Sequence, residues 1–132
     1  MPTVVAMSAG FWVLIGLTLV GSGIVLWVVA ERTADGRVDL NRYAGIRTRT
    51  TLNSEEAWVA GHRAAKRGTQ VAATLIGLTG IGLVANARNP DLAKVLIIVG
   101  SALWCGALIK ATIASTRAAK AASSASGPAG TA

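Results

Sequence analysis

The run VVAMSAGFWVLIGLTLVGSGIVLWVVA, residues 4–30, contains no charged side chain. A helix needs about 20 apolar residues to cross a hydrocarbon core of about 30 Å, so the run is long enough for a membrane span. It lacks a basic leading region and a following Ala-x-Ala cleavage site, and its apolar stretch is too long for a signal peptide; it therefore reads as a retained span. Thr69 to Ala87 is a second uncharged run. Leu92 to Ser115 is a third, interrupted only by Lys94 near its start and Lys110 near its end. Both lysines can snorkel to the interfaces. Three strands cannot close a barrel, so the spans must be helices that satisfy their own backbones. A composition of 52% hydrophobic and 14% charged residues excludes an ordinary soluble domain.

The expected fold class is all-α, with three transmembrane helices and a polar insert. Residues 1–30 form the first span, and 31–68 a motif loop carrying a short interfacial helix over 53–67. Residues 69–87 form the second span, 88–116 an outer hairpin with the third, and 117–132 a tail without apolar periodicity that reads as disordered. Arg32, Arg37, Arg42, Arg47, Arg49, Arg63, Lys66 and Arg67 lie in the insert, and Arg117 and Lys120 in the tail; only Arg88 and Lys94 lie on the opposite side. The positive-inside rule puts the insert and tail in the cytoplasm and the N-terminus outside, as in a bacterial inner membrane. The net charge of +7 is thus mainly a topology signal, with a secondary attraction to anionic headgroups.

Helices in lipid associate through close backbone approach, so small residues mark their contact faces. Thr69, Ala73 and Gly77 recur in the second span, Ala102 and Gly106 in the third, and Thr18 and Ser22 in the first. A compact three-helix bundle is expected, and the same faces would serve a homo-oligomer or a larger partner. Asn89, Pro90 and Asp91 suit the cap, first position and first turn of the third span. Cys105 is the single cysteine, so no internal disulfide forms, and it reads as a packing residue.

Within the insert, Gly36 and Gly45 mark turns, and Gly45 is placed to supply a positive φ. From Asn53 the signals become helical: Asn53 caps, Glu56 completes a capping box, and Glu55 and Glu56 complement the helix dipole. Trp58 reads as an interfacial anchor, with Gly68 permitting the bend into the second span. Arg42, Arg47 or Arg49 is expected to fold back onto Glu55 or Glu56, which lack a basic partner one turn on. His62 is the only histidine and has no cysteine nearby, so a metal site is not expected and no cofactor is implied. Acids interleave with the basic residues and only Tyr43 and Trp58 offer stacking faces, which argues against nucleic acid.

Asn41, Gly45-Ile46-Arg47-Thr48, Thr51-Leu52, Ser54-Glu55-Glu56, Trp58 and His62-Arg63 together closely resemble the signature loop of the SdpI family of membrane immunity proteins. The chain departs from the family pattern at Arg49, where Pro or Lys is common, and at Lys66, where a Gly is common. The resemblance implies a small non-enzymatic membrane protein of the immunity or signalling type. Its candidate binding residues are Asn41, Arg47, Thr48, Arg49, Glu55, Glu56, Trp58, His62 and Arg63. The expected partners are membrane lipids and a membrane or cytoplasmic protein. An accessory subunit of a larger membrane complex is the alternative. A membrane enzyme acting on lipid is a third, with Glu55, Glu56 and His62 as its only acid–base groups.

The topology has a direct test. A reporter cysteine replacing Asp39 on a Cys105-free background should stay unlabelled by an impermeant thiol reagent in intact cells, and labelling from outside would reverse the orientation.

Overall fold

The computed structural model describes residues 8–37 and 45–125. Three helices account for most of them: α1 (Ala9–Ala34), α2 (Glu55–Ala85) and α3 (Pro90–Ala125). All three are long and apolar enough to cross a membrane. The all-helical, three-span architecture therefore stands.

Two boundaries differ from expectation. The helix expected over 53–67 and the span expected from Thr69 are one continuous helix of 31 residues, unbroken at Gly68. Gly68 serves proximity instead: a Cβ there would lie 3.0 Å from the Cβ of Ala111, so the glycine lets α3 come close. A helical glycine costs about 1 kcal/mol relative to alanine, which close packing offsets. The tail expected to be disordered is helical to Ala125, because an alanine-rich stretch extends readily from a helix already nucleated in the span. Residues 126–132 lie outside the described residues.

The cap of α2 is also shifted by one residue. Ser54, not Asn53, is the N-cap, and its hydroxyl accepts from the Ala57 amide at 3.1 Å. Glu56 is therefore one position early for a capping box, and Glu55 and Glu56 favour the helix start through the dipole alone. At the hairpin the expectations hold: the Leu92 amide donates to Asn89 Oδ1 at 3.1 Å, with Pro90 first in α3 and Asp91 in its first turn.

Helix α2 is the central element, because α1 and α3 each pack along it and barely meet one another. The compact three-helix bundle expected is thus a row of two helix pairs that share α2. Both pairings are antiparallel and keep a nearly constant register. Along α3, Ser115 lies against Gly61, Ala111 against Gly68, and Gly100 against Thr79; along α1, Gly23 lies against Ala73, and Gly16 against Gly80. At this last crossing a Cβ on Gly16 would be 2.6 Å from the Gly80 carbonyl oxygen, and one on Gly80 would be 2.5 Å from that of Gly16. Only paired glycines permit that approach.

Small residues do make the contacts: Thr69 and Ala73 of α2 are buried as expected, whereas α1 and α3 use other faces than expected. Thr18 and Ser22 are exposed and bond their hydroxyls to the carbonyls of Leu14 and Thr18. Ala102, Gly106 and Cys105 likewise point away from α2. Each span carries two small-residue stripes, and spacing alone does not choose between them.

At 1.5 Å per residue α2 and α3 measure about 46 and 54 Å, well beyond a hydrocarbon core of about 30 Å. Because the hairpin aligns their other ends, both overruns lie at the insert end. There they carry Arg63, Lys66 and Arg67 on α2 and Arg117 and Lys120 on α3. The register sets Trp27, Thr69 and Lys110 at one level, which marks the interface. Gly80→Val should separate α1 from α2 and lower the thermal midpoint in detergent through overpacking of about 1–3 kcal/mol. Gly106→Val, where a Cβ meets nothing within 4 Å, should leave it unchanged.

Candidate functional site

Beyond the interface the loop 45–54 folds onto the exposed stub of α2. Gly45 has φ +100°, and a Cβ there would strike His62 Nε2 and come within 3.1 Å of the Trp58 ring. Glycine is required on both counts. The next amide, Ile46 N–H, donates to His62 Nε2 at 2.9 Å, while His62 Nδ1 lies 2.8 Å from the Trp58 carbonyl. A carbonyl only accepts, so the proton resides on Nδ1 and Nε2 is the acceptor: a neutral imidazole with both nitrogens used. Burial holds His62 below its ordinary value of 6.5, against the opposing pull of the Trp58 carbonyl. The two rings are 4.1 Å apart, one helical turn separating their residues.

Thr51 locks the rest of the loop. Its side chain is completely buried; its hydroxyl donates to the Ile46 carbonyl at 2.9 Å and accepts from the Thr48 amide at 2.9 Å. The Thr48 hydroxyl in turn accepts from the Thr51 amide at 3.2 Å. Two threonines thus satisfy the backbone of a turn that has no regular partner. Gly61 is the meeting point of three elements: a Cβ there would lie 2.9 Å from both Ser115 Oγ on α3 and Thr51 Cγ2 in the loop.

Polar contacts fasten α1 to the same stub. Arg63 Nε donates to the Ala34 carbonyl at 3.3 Å, occupying an orphan acceptor at the end of α1. Glu31 takes Lys66 Nζ at 2.7 Å on one oxygen and Gln70 Nε2 at 2.6 Å on the other. The hydrogen bond that Lys66 donates to Glu31, aided by Asp35 at 3.7 Å, holds the Lys66 ammonium above its ordinary value. Beneath the loop is a cavity of about 210 Å³, lined by Ala30, Thr33, Ile46, His62, Ala65 and Thr69 among others.

A model of the SdpI/YfhL protein family matches residues 37–116, more than half of the chain. The chain belongs to that family. Neither a search of curated proteins nor a search of solved structures returned a match. The family match takes in the loop, α2 and α3 as far as Thr116, which are the three elements joined at Gly61. Family membership and three apolar helices make this a small multi-pass membrane protein.

The residues singled out from sequence in this SdpI/YfhL member separate into two sets. Trp58 and His62 are buried, at 0% and 4% exposure, so Trp58 is an internal support rather than an interfacial anchor. Thr48 is half-buried within the turn. Arg47, Arg49, Glu55, Glu56 and Arg63 are exposed. Asn41 and Arg42 lie outside the described residues. Glu55 and Glu56 form no ion pair with any described residue, so the expected fold-back of Arg47 or Arg49 onto them is not seen. Both acids already have the helix N-terminus to complement, and exposed ion pairs contribute little. Sequence reading missed Gly61, Ser115 and the Glu31–Lys66–Gln70 link. The Ala57-Gly61-Ala65 spacing carried the first signal; the last joins residues far apart in the chain.

The loop's dependence on His62 has a definite pH sign. The folded state favours neutral imidazole, so below about pH 6.5 the unfolded chain binds more protons and the His62 contribution falls. The thermal midpoint of the wild type should exceed that of His62→Ala at pH 7.5, and the gap should narrow toward pH 5. A gap independent of pH would contradict the latch. Gly45→Ala should expose the Arg47 and Arg49 bonds to trypsin at neutral pH without altering membrane insertion.

Proposed function

We propose that this SdpI/YfhL member is a non-enzymatic protein of the immunity or signalling type, whose loop offers a fixed surface to a protein partner or a lipid headgroup on the cytoplasmic side. One observation carries the reading. Trp58, His62 and Thr51 lock the loop from beneath, while Arg49, Glu55, Glu56 and Arg63 stand exposed above them. A mere connector between two spans needs no buried histidine and no reciprocal threonine pair. A locked turn presents its charges at little conformational cost on binding.

The same geometry argues against acid–base chemistry in the loop. Both nitrogens of His62 are committed to backbone groups. Glu55 and Glu56 face solvent in the first turn of α2, which offers no water-excluded pocket for proton transfer. The alternative of an accessory subunit draws on the separation of α1 from α3, which leaves room for a further helix.

The test uses full-length tagged protein recovered from its own membranes, with bound proteins and lipids identified by mass spectrometry. Arg49→Lys keeps the charge but loses the two-pronged donor, and Glu55→Gln keeps the shape but loses the charge. Each should lower recovery of a specific partner about tenfold, as expected for roughly 1.5 kcal/mol per charge-assisted contact. Thermal midpoint and trypsin pattern should stay unchanged. Identical recovery from both variants and wild type would reduce the loop to a solvated connector.

A further inference from the structure

On the flank of the α1–α2 pair runs a groove that the loop does not touch. It has a volume of about 380 Å³ and is lined by Val20, Ile24, Trp27, Gly77, Leu78 and Ile81 among others. Its floor is set by Gly23, whose Cβ would lie 2.7 Å from the Ala73 carbonyl oxygen, so the helices touch there and leave nothing to fill the space above. A Cβ on Gly77 meets nothing within 4 Å.

The groove continues into a second cleft of about 280 Å³ that shares Trp27 and Thr74 and adds Arg67 and Gln70. Polarity therefore changes from one end to the other. Trp27 marks the interface level, with 44% of its surface exposed. Arg67 is exposed and forms no ion pair with a described residue, and Arg63 stands one turn beyond it on the same face. Among the described residues Glu31 and Asp35 are both engaged by Lys66, and neither pairs with Arg63 or Arg67.

We propose that this groove binds a single phospholipid with an anionic headgroup. One acyl chain lies between α1 and α2 over Gly77, and the phosphate sits at Arg67 beside the Trp27 indole. The dimensions agree: Arg67 and Ile81 are separated by about 21 Å of helix. That is half of a bilayer of about 40–45 Å including its headgroup layers, or one leaflet. Arginine supplies a planar two-pronged donor suited to phosphate, and an indole at this level has an apolar body with a polar edge. The site is separate from the loop surface, and its outcome does not depend on the loop having a partner.

The experiment is native mass spectrometry of the full chain in detergent, offered phosphatidylglycerol or phosphatidylcholine with identical acyl chains. Wild type should retain one lipid and favour phosphatidylglycerol about fivefold, the increment of one arginine near the surface. Arg67→Gln should abolish the preference while retaining lipid. Gly77→Leu fills the groove from an open position and should abolish retention of both lipids; Gly106→Leu, equally open but on α3, should retain them. Equal loss from Gly77→Leu and Gly106→Leu, or an undiminished preference in Arg67→Gln, would overturn the proposal. So would a wild-type dimer that Gly77→Leu converts to monomer, which would assign the groove to a second copy of the chain.

Discussion

The continuity of α2 through Gly68 is the constraint on which the molecule depends. A bend there would uncouple the membrane span from everything beyond it. An unbroken helix carries the register of the span directly into the polar stub, so that Ala73 against Gly23 within the membrane fixes Arg63 against Ala34 outside it. The same holds for α3, where Gly100, Ala111 and Ser115 track Thr79, Gly68 and Gly61 along one line. Close-packed helices do not deform continuously, so contacts made in lipid position the loop many ångströms away.

The stub achieves order by a different route from the spans. Within lipid, backbone approach over glycine does the work, because leucine gains nothing by leaving acyl chains for another helix. Outside lipid, the loop 45–54 has few apolar groups to bury and is held mainly by hydrogen bonds to its own backbone. Thr51, Thr48 and His62 each supply atoms that the turn lacks. Buried polar groups are stabilising only when fully satisfied, and His62 meets that condition with one donor and one acceptor. Its side chain is consequently part of the fold, however chemical its identity suggests.

Legibility in the sequence followed the length scale of each signal. The spans were readable because uncharged runs of some twenty residues have one physical meaning, and the hairpin because Asn89, Pro90 and Asp91 act through neighbouring backbone groups. The start of α2 was readable to within one residue for the same reason. Gly68 was misread because a glycine that permits a bend and one that permits a neighbour look alike until Ala111 is seen beside it. The inward stripe of α1 was Gly16 and Gly23, not Thr18 and Ser22, because both satisfy helical spacing and only the partner surface decides. Trp58 was placed at the interface on its amphipathic character, whereas the loop that covers it comes from residues whose approach no local pattern encodes.

The charged residues of the stub divide by their neighbours rather than by their type. Lys66 and Arg63 differ by less than one turn, yet Lys66 is committed to Glu31 and Asp35, and Arg63 spends one nitrogen on a carbonyl of α1. These contacts are half-exposed, so each adds little to stability. Their value is geometric: Glu31 accepts from Lys66 and Gln70, two donors one turn apart on α2, and this fixes the depth at which α1 leaves the membrane. A fixed exit for α1 determines where the insert begins, just as the span of α2 determines where it ends. Arg49 and Arg67 enter no ion pair with a described residue, so this framework does not consume them.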